Sequence, residues 1–228
     1  NRIKIHICCR LYFNPDIDHS CPPFSKIFSG HNIYMSKIEE THDETKRVFP
    51  VRRTDPEIFK KIPLHYSHKT SNRDIAITPL PTSYDIRKVF ICSMPYNQGS
   101  LGSCVDNAFA FAYELECTKQ NNTVKFMPSR LFQYYNARLL MGMYYTYRDS
   151  GTSITDGART LVETGTCPEF MWPYIINNFT IKPSASNYDV AKNCKTTDYS
   201  RVDNANIDSI KTALTLNHSV QFGCAIYH

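Results

Sequence analysis

The sequence lacks the features that would place this chain in a membrane or on a route of export. None of its apolar runs approaches the roughly 18 residues that a helix needs to span a bilayer. Its N-terminal apolar stretch, residues 3–9, is too short and too polar for the core of a typical secretory signal. We therefore expect no membrane span and no secretion by such a signal.

The sequence also has few of the patterns that bind metals or nucleic acids. None of its nine cysteines forms a C-x2-C pair of the kind found at zinc sites. The formal net charge is only +5, and acidic and apolar residues interrupt basic pairs such as Lys46-Arg47 and Arg52-Arg53. Such spacing is typical of a solvated surface rather than of a basic stripe. We expect no metal, no cofactor and no nucleic-acid partner.

Apolar content, in contrast, is sufficient for a folded protein. The 228 residues are 42% hydrophobic and 13% aromatic. This composition excludes general disorder, and the length suits one sizeable core or two lobes.

One segment near the middle of the chain has the residues that a nucleophilic thiol requires. Cys104 follows a Gly-Ser pair and precedes an apolar run, which predicts a thiol at a helix N-terminus. The N–H groups and the dipole at such a terminus favour negative charge and lower the pKa of a thiol. Gln98 carries an amide that can stabilise the oxyanion formed when Cys104 attacks a carbonyl. A buried structural thiol is the alternative.

The segment 98–110 resembles the nucleophile region of the papain-like cysteine peptidases. By that resemblance Cys104 matches the catalytic nucleophile and Gln98 the glutamine of the oxyanion hole. Gly102 and Ser103, which directly precede the nucleophile, are candidate substrate-binding residues. The substrate that this resemblance implies is a peptide or protein.

Two departures from papain and the cathepsins point to one branch of the family. Leu101 stands where those enzymes have a disulfide-forming cysteine, and Val105 stands where they have an aromatic residue. The sequence is closer to the disulfide-poor branch seen in bacteria, archaea and large DNA viruses, so a viral source fits the pattern. We expect free thiols and a reducing, intracellular compartment.

Further segments extend the resemblance. Residues 80–87 resemble the start of the mature peptidase, residues 128–138 a helix with a Pro-Ser start, and residues 166–174 a segment that ends in Pro-Tyr. Gly151 matches the second glycine of a pair whose backbone binds substrate in the family, although a plain turn glycine is the alternative. Trp172, the single tryptophan, is expected to be a packing residue.

Apolar periodicity and capping residues predict the elements. We expect helices near 104–119, 129–141 and 154–164, and a short helix over 207–214 capped by Asn206. Ser153 and Asp156 form a capping-box-like start for the third helix, and Gly165 ends it. Alternating apolar residues predict a strand over 219–227. The resemblance implies an α+β papain-like fold with a largely complete helical left lobe and only the start of the β-barrel right lobe.

The chain divides into an arm and a domain. Residues 1–34 have no helix or strand period and are either an extension or sequence upstream of a start at Met35. Residues 35–81, rich in charge and proline, form an arm that is either an inhibitory pro-segment in the cleft or a wrapping of the surface. Residues 82–228 are the peptidase domain, in which 178–204 is expected to be a polar connection.

The family's catalytic histidine has no match in the sequence. It is expected about 130–150 residues after the nucleophile. From Cys104 that position lies beyond His228, and His218 lies in a predicted turn. We therefore expect these residues to be the N-terminal part of a longer cysteine peptidase and to be inactive alone. The alternative is a non-catalytic relic with a binding or structural role.

Overall fold

Helices are the main regular structure in the part of the chain that the computed structural model describes. That part comprises residues 4–7, 52, 54–65, 80–90, 94–120, 126–203 and 205–223. Short 3-10 turns lie at Ile86–Lys88 and Ile176–Asn178. The α-helices are α1 Pro56–Lys61, α2 Cys104–Lys119, α3 Arg130–Met141, α4 Met143–Thr146, α5 Ile154–Glu163, α6 Ala185–Ala191 and α7 Ile207–Thr215.

The helices predicted from periodicity are confirmed as α2, α3, α5 and α7, and α5 and α7 begin directly after their predicted capping residues. Ser129, Ser153 and Asn206 each accept a main-chain N–H group of the first turn with a side-chain oxygen. Such bonds satisfy N–H groups that have no partner within the helix. Gly165 follows the last turn of α5 with φ +87, a conformation that favours glycine.

Helices α2 and α5 form the centre of the main core. Phe109 and Ala112 on α2 pack with Ala158 and Leu161 on α5, and all four are essentially inaccessible to solvent. The two helices approach closely at Gly157, where a Cβ atom would lie only 2.7–2.9 Å from side-chain atoms of α2. Glycine is therefore required at this crossing.

A second core lies between α3 and the segment after α5. Leu101, which precedes the predicted nucleophile, is buried with Leu131 and Tyr134 of α3. Trp172 packs against this cluster, as predicted. The loop that leads to Cys104 is thus anchored by an apolar side chain.

Four short strands complete the described fold. They are β1 Lys4–Ile7, β2 Leu64–His65, β3 Asp198–Val202 and β4 Val220–Gln221, in the order β2-β3-β1-β4. Each pair is parallel, and Lys4 pairs with Asp198 while His6 pairs with Val220. A mainly helical structure with a few strands agrees with the predicted α+β class.

Three expectations about the connecting regions were wrong. Strand β1 lies within residues 1–34, for which no strand was expected, and α1 and β2 lie within the predicted arm. The region 178–204 contains α6 and β3 rather than a plain connection. The predicted strand 219–227 is shorter, since only Val220–Gln221 pairs; its residues 224–227 lie outside the described part.

Candidate active site

Cys104 is the first residue of α2 and is partly buried. Main-chain N–H groups at the start of the helix point at its sulfur, as predicted, and lower the pKa of the thiol. Burial has the larger, opposite effect, and together with the Asp106 carboxylate it raises the pKa to about 11. The expected depression of the thiol pKa is therefore wrong, because desolvation outweighs the helix terminus.

The other described cysteines have similar thiols. Burial raises the pKa of Cys117 to about 11 and that of Cys167 to about 12, and it also raises the pKa of Cys194. All of them and Cys104 are free thiols. Position at a helix N-terminus, rather than pKa, distinguishes Cys104 from the rest.

Gln98 lies in the loop that turns back before α2. Its Nε2 donates to the Leu101 carbonyl at 2.9 Å, which holds the amide against the loop. Its Oε1 is buried and accepts no hydrogen bond from any residue that the structure describes. The backbone on either side is fixed as well, since Gly99 has φ +59 and donates to the Asn97 side chain at 2.8 Å.

Tyr174 connects the Gln98 loop to the residue before Cys104. Its hydroxyl donates to the Gln98 carbonyl at 2.9 Å and lies 2.5 Å from Ser103 Oγ. Ser103 is fully buried and also bonds Asn107 Nδ2 at 3.0 Å. The tyrosine hydroxyl thus joins the predicted oxyanion donor to the predicted nucleophile segment. The sequence marked Tyr174 only as the end of a Pro-Tyr segment.

A partly buried ion pair between Arg130 and Glu169 contacts Tyr174. The guanidinium of Arg130 lies 4.0 Å from the Tyr174 ring centroid and 2.8 Å from Glu169 Oε1. It also donates to the Asn97 carbonyl at 3.1 Å. Because Glu169 accepts the Tyr174 main-chain N–H at 3.1 Å, both ends of the tyrosine are held.

Gly102, Ser103 and Gly151, the predicted substrate-binding residues, are all buried. The Gly102 N–H donates to Asp149, and the Gly151 N–H donates to the Tyr134 hydroxyl at 3.1 Å. The Gly151 carbonyl accepts from the Ser150 hydroxyl at 3.1 Å. These groups bond within the protein, and the substrate-binding role of all three residues stays a prediction.

Asp106 is a buried carboxyl that the sequence analysis did not select. Asp106 lies two residues after Cys104 in the chain. Its Oδ2 accepts a hydrogen bond from Oγ1 of Thr152, the residue after Gly151, at 2.8 Å. Burial raises its pKa to about 7, while the Thr152 bond and the Arg138 charge act in the opposite direction. The signal that could have revealed it is an acid on the apolar face of α2.

His218 is the histidine after Cys104 that the structure describes, and it lies far from the thiol. Its Nδ1 is 3.4 Å from Lys119 Nζ, and Lys119 is the last residue of α2. With a rise of 1.5 Å per residue, the two ends of this helix are roughly 20 Å apart. His218 does not pair with Cys104.

A segment of the N-terminal arm lies along the residues around Gly151. The Arg52 N–H donates to the Thr152 carbonyl at 3.1 Å, and Arg52 Nε donates to the Ser150 carbonyl at 2.8 Å. Arg52 forms a parallel bridge with Ser153. Arg52 of the arm therefore pairs its backbone with the segment Thr152-Ser153 that follows Gly151.

Metal sites and membrane spans were also sought among the described residues. Within them, no three His, Cys, Asp or Glu side chains come together in a way that could hold a metal ion. No helix in the same part of the chain is long and apolar enough to cross a membrane.

Known proteins are similar to this chain over part of their length. No family model matches the chain. The chain is 37% identical, over 154 residues, to an uncharacterized peptidase C1-like protein of Acanthamoeba polyphaga mimivirus, covering 63% of this chain and 49% of that protein. The crystal structure of xylellain, a cysteine protease from Xylella fastidiosa, matches with 38% identity and a TM-score of 0.50. The match covers 54% of this chain and 50% of xylellain.

The chain is therefore similar in sequence and fold to the papain-like cysteine peptidases, as its nucleophile segment predicted. Its α+β architecture, with a helical lobe and few strands, is papain-like. It spans about half the length of the relatives it matches. The mimivirus relative agrees with the expected similarity to proteins of large DNA viruses.

Proposed function

We propose that the full-length protein is a cysteine peptidase that cleaves peptide bonds with Cys104 as its nucleophile. The observation that carries the proposal is the position of this thiol, at the first residue of α2 and directly after Ser103, which Tyr174 joins to the Gln98 loop. The similarity to cysteine peptidases supports it. Because the chain covers only half of those relatives, activity and substrates are proposals for the whole protein.

The proposed reaction has two steps. The Cys104 thiolate attacks the peptide carbonyl carbon, and the negative oxygen receives hydrogen bonds from the Gln98 amide and a main-chain N–H of the helix start. The C–N bond then breaks, the amine leaves with a proton from the catalytic base, and a thioester remains on Cys104. Water, deprotonated by the same base, attacks the thioester; the C–S bond breaks, the acid leaves, and the Cys104 thiolate is restored beside the protonated base.

The catalytic base must stabilise the Cys104 thiolate as well as transfer protons. A thiol with a pKa of about 11 is almost wholly protonated at neutral pH, so a nearby imidazolium is needed to stabilise the thiolate. His218 is at the other end of α2. We propose that a histidine in a segment after residue 228 pairs with Cys104, and that residues 1–228 alone therefore turn over little or no peptide.

We also propose that the N-terminal arm competes with substrate for the residues around Gly151. The Arg52 main-chain N–H bonds the Thr152 carbonyl, as a substrate backbone would, and the Arg52 guanidinium bonds the Ser150 carbonyl on the other side of Gly151. Thr54 continues the contact through a 2.9 Å bond to the Thr155 hydroxyl. We propose that these arm residues occupy the edge along which a substrate backbone binds.

A non-catalytic binding protein is the second candidate. The raised pKa of Cys104 and the internal hydrogen bonds of Gly102 and Gly151 favour it. Such a protein would bind peptides along the same edge without cleaving them.

Peptide turnover by the full-length protein separates these candidates. Cys104→Ala should abolish cleavage, whereas Cys194→Ala, which removes another partly buried thiol, should leave it unchanged. His218→Ala should also leave turnover unchanged. Peptide binding without cleavage would favour the second candidate, and loss of turnover in His218→Ala would show that the base has been assigned wrongly.

A further inference from the structure

The carboxylate of Asp149 joins two loops of the candidate site. Its two oxygens lie 3.0 and 3.1 Å from the Gly102 nitrogen, in the loop that presents Cys104. The Tyr134 hydroxyl donates to the same carboxylate at 2.5 Å and accepts the Gly151 N–H at 3.1 Å. One carboxylate and one hydroxyl therefore connect Gly102 to Gly151 through α3.

Arg138 fixes the segment that carries Asp149. This side chain is fully buried and lies 4.0 Å from the ring centroid of Tyr134. It donates to the carbonyls of Thr146 and Arg148 at 3.0 and 2.8 Å. A buried guanidinium with this many carbonyl partners holds a loop in one conformation, because losing a partner would leave a buried N–H donor without a hydrogen bond.

We propose that Asp149 is a positioning residue, which sets the spacing between the loop that presents Cys104 and the turn that carries Gly151. This inference rests on the proposed peptidase function. Leu101, the buried residue beside Gly102, cannot form a disulfide, whereas the Asp149 carboxylate ties this loop, through Tyr134, to the turn that carries Gly151. Peptide bound across both loops would meet the thiol only if that spacing is kept.

The negative charge of Asp149 disfavours the Cys104 thiolate, so we assign Asp149 a positioning role rather than an electrostatic one. Together with burial and Asp106, it raises the pKa of the Cys104 thiol and so works against formation of the thiolate. An asparagine would keep the Oδ1 contacts to Gly102 and Tyr134 without the charge. Asp149→Asn therefore separates the geometry of the tie from its electrostatic effect.

Kinetics and amide hydrogen exchange of the full-length protein test the proposal together. Asp149→Ala should lower kcat/KM by roughly 10²-fold, the typical effect of a misplacement of about 1 Å. It should also accelerate exchange in residues 99–104 and 149–152 at once. Asp149→Asn should recover most of both properties. Tyr134→Phe added to Asp149→Ala should cost little more, because the two residues act through one tie.

The matched control is Asp189→Ala, which removes an exposed carboxylate paired with Lys192 on α6. It should change neither kinetics nor exchange in the two loops. If the parent protein cleaves peptides and Asp149→Ala leaves kcat, KM and loop exchange unchanged, the positioning role is overturned. If both loops exchange faster in Asp149→Ala but the parent cleaves nothing, the tie stands and the proposed peptidase function fails.

Discussion

Desolvation dominates the chemistry of Cys104 at the scale of the single residue. A thiol whose pKa rises to about 11 has lost about 3 kcal/mol of thiolate stability relative to an ordinary cysteine. A helix N-terminus typically returns roughly 0.3–1 kcal/mol. The Gly-Ser-Cys sequence could predict the helix but not how deeply its first residue would lie, because burial depends on segments distant in the chain.

Asp106 makes stability depend on pH. Its pKa rises from the ordinary value near 4 to about 7, so the folded protein holds a proton that the unfolded chain releases. This contribution to the free energy of unfolding is full below about pH 4 and is lost as the pH rises to about 7. We predict that the free energy of unfolding in urea, taken as Asp106→Asn minus parent, is larger at pH 8 than at pH 5. Asp189→Asn is the exposed control, and an equal shift in both variants would contradict the assignment.

The hydroxyl of Tyr174 should matter for the rate more than for binding. Tyr174→Phe keeps the ring under Arg130 and loses the bonds to Gln98 and Ser103. Since the oxyanion donor acts mainly in the transition state, we predict about a tenfold fall in kcat with KM little changed. Tyr188→Phe, which removes another hydroxyl hydrogen bond, should leave kcat unchanged. If Tyr174→Phe lowers kcat tenfold again in a protein that already carries Gln98→Ala, the hydroxyl does not act through Gln98.

At the scale of elements, the crossing of α2 and α5 determines how the core forms. Gly157→Ala would place a Cβ atom within 3 Å of Phe109 and Val105. Overpacking of this kind costs about 1–3 kcal/mol. We predict a loss of that size in the free energy of unfolding, measured in denaturant. Ala108→Leu, on the exposed side of α2, is the control and should cost little; equal losses would contradict a specific contact at Gly157.

Sequence patterns predicted some elements and missed others for identifiable reasons. Helices α2, α3 and α5 carry apolar periodicity and capping residues within their own sequence, so local information was sufficient. Strand β1 pairs with β3 some 190 residues later, and such pairing has no local signature. Helix α6 is short and polar, and the burial of Asn187 and Ala191 is what places it in the fold.

The same distinction applies to the candidate site. Cys104, Gln98 and Gly151 belong to motifs that can be recognised in sequence. Asp149 and Tyr174 act through hydrogen bonds to main-chain groups 47 and 76 residues away, so only the folded structure brings their roles into view. The side-chain amide of Gln98 also bonds Leu101, a contact that the motif does not indicate.

At the scale of the whole molecule, the N-terminal arm and the helical lobe share a core. Ile62, in the predicted arm, is buried with α2 and α5, and Arg52 pairs with the edge beside Gly151. The proposed boundary at residue 82 thus separates regions of sequence whose side chains pack together.

Competition by the arm gives a prediction for the full-length protein. Arg52→Pro removes the N–H that pairs with Thr152, and Arg52→Ala removes the side-chain bond to Ser150. We predict a lower KM for peptide substrates in both variants, because substrate no longer displaces the arm. Lys60→Ala, on the exposed surface of α1, is the control. An unchanged KM in both Arg52 variants would show that substrate binds elsewhere.

The central claim is that Cys104 forms the thioester through which peptide is hydrolysed. The most direct test mixes the full-length protein with a peptide ester and follows the intact mass during the first turnovers, with the modified residue located by fragmentation. We predict transient addition of one acyl group to Cys104, lost as product accumulates, slowed roughly 10²–10³-fold in Gln98→Ala and absent in Cys104→Ala. Product formation without an acyl group on Cys104, or with one on another residue, would contradict the account.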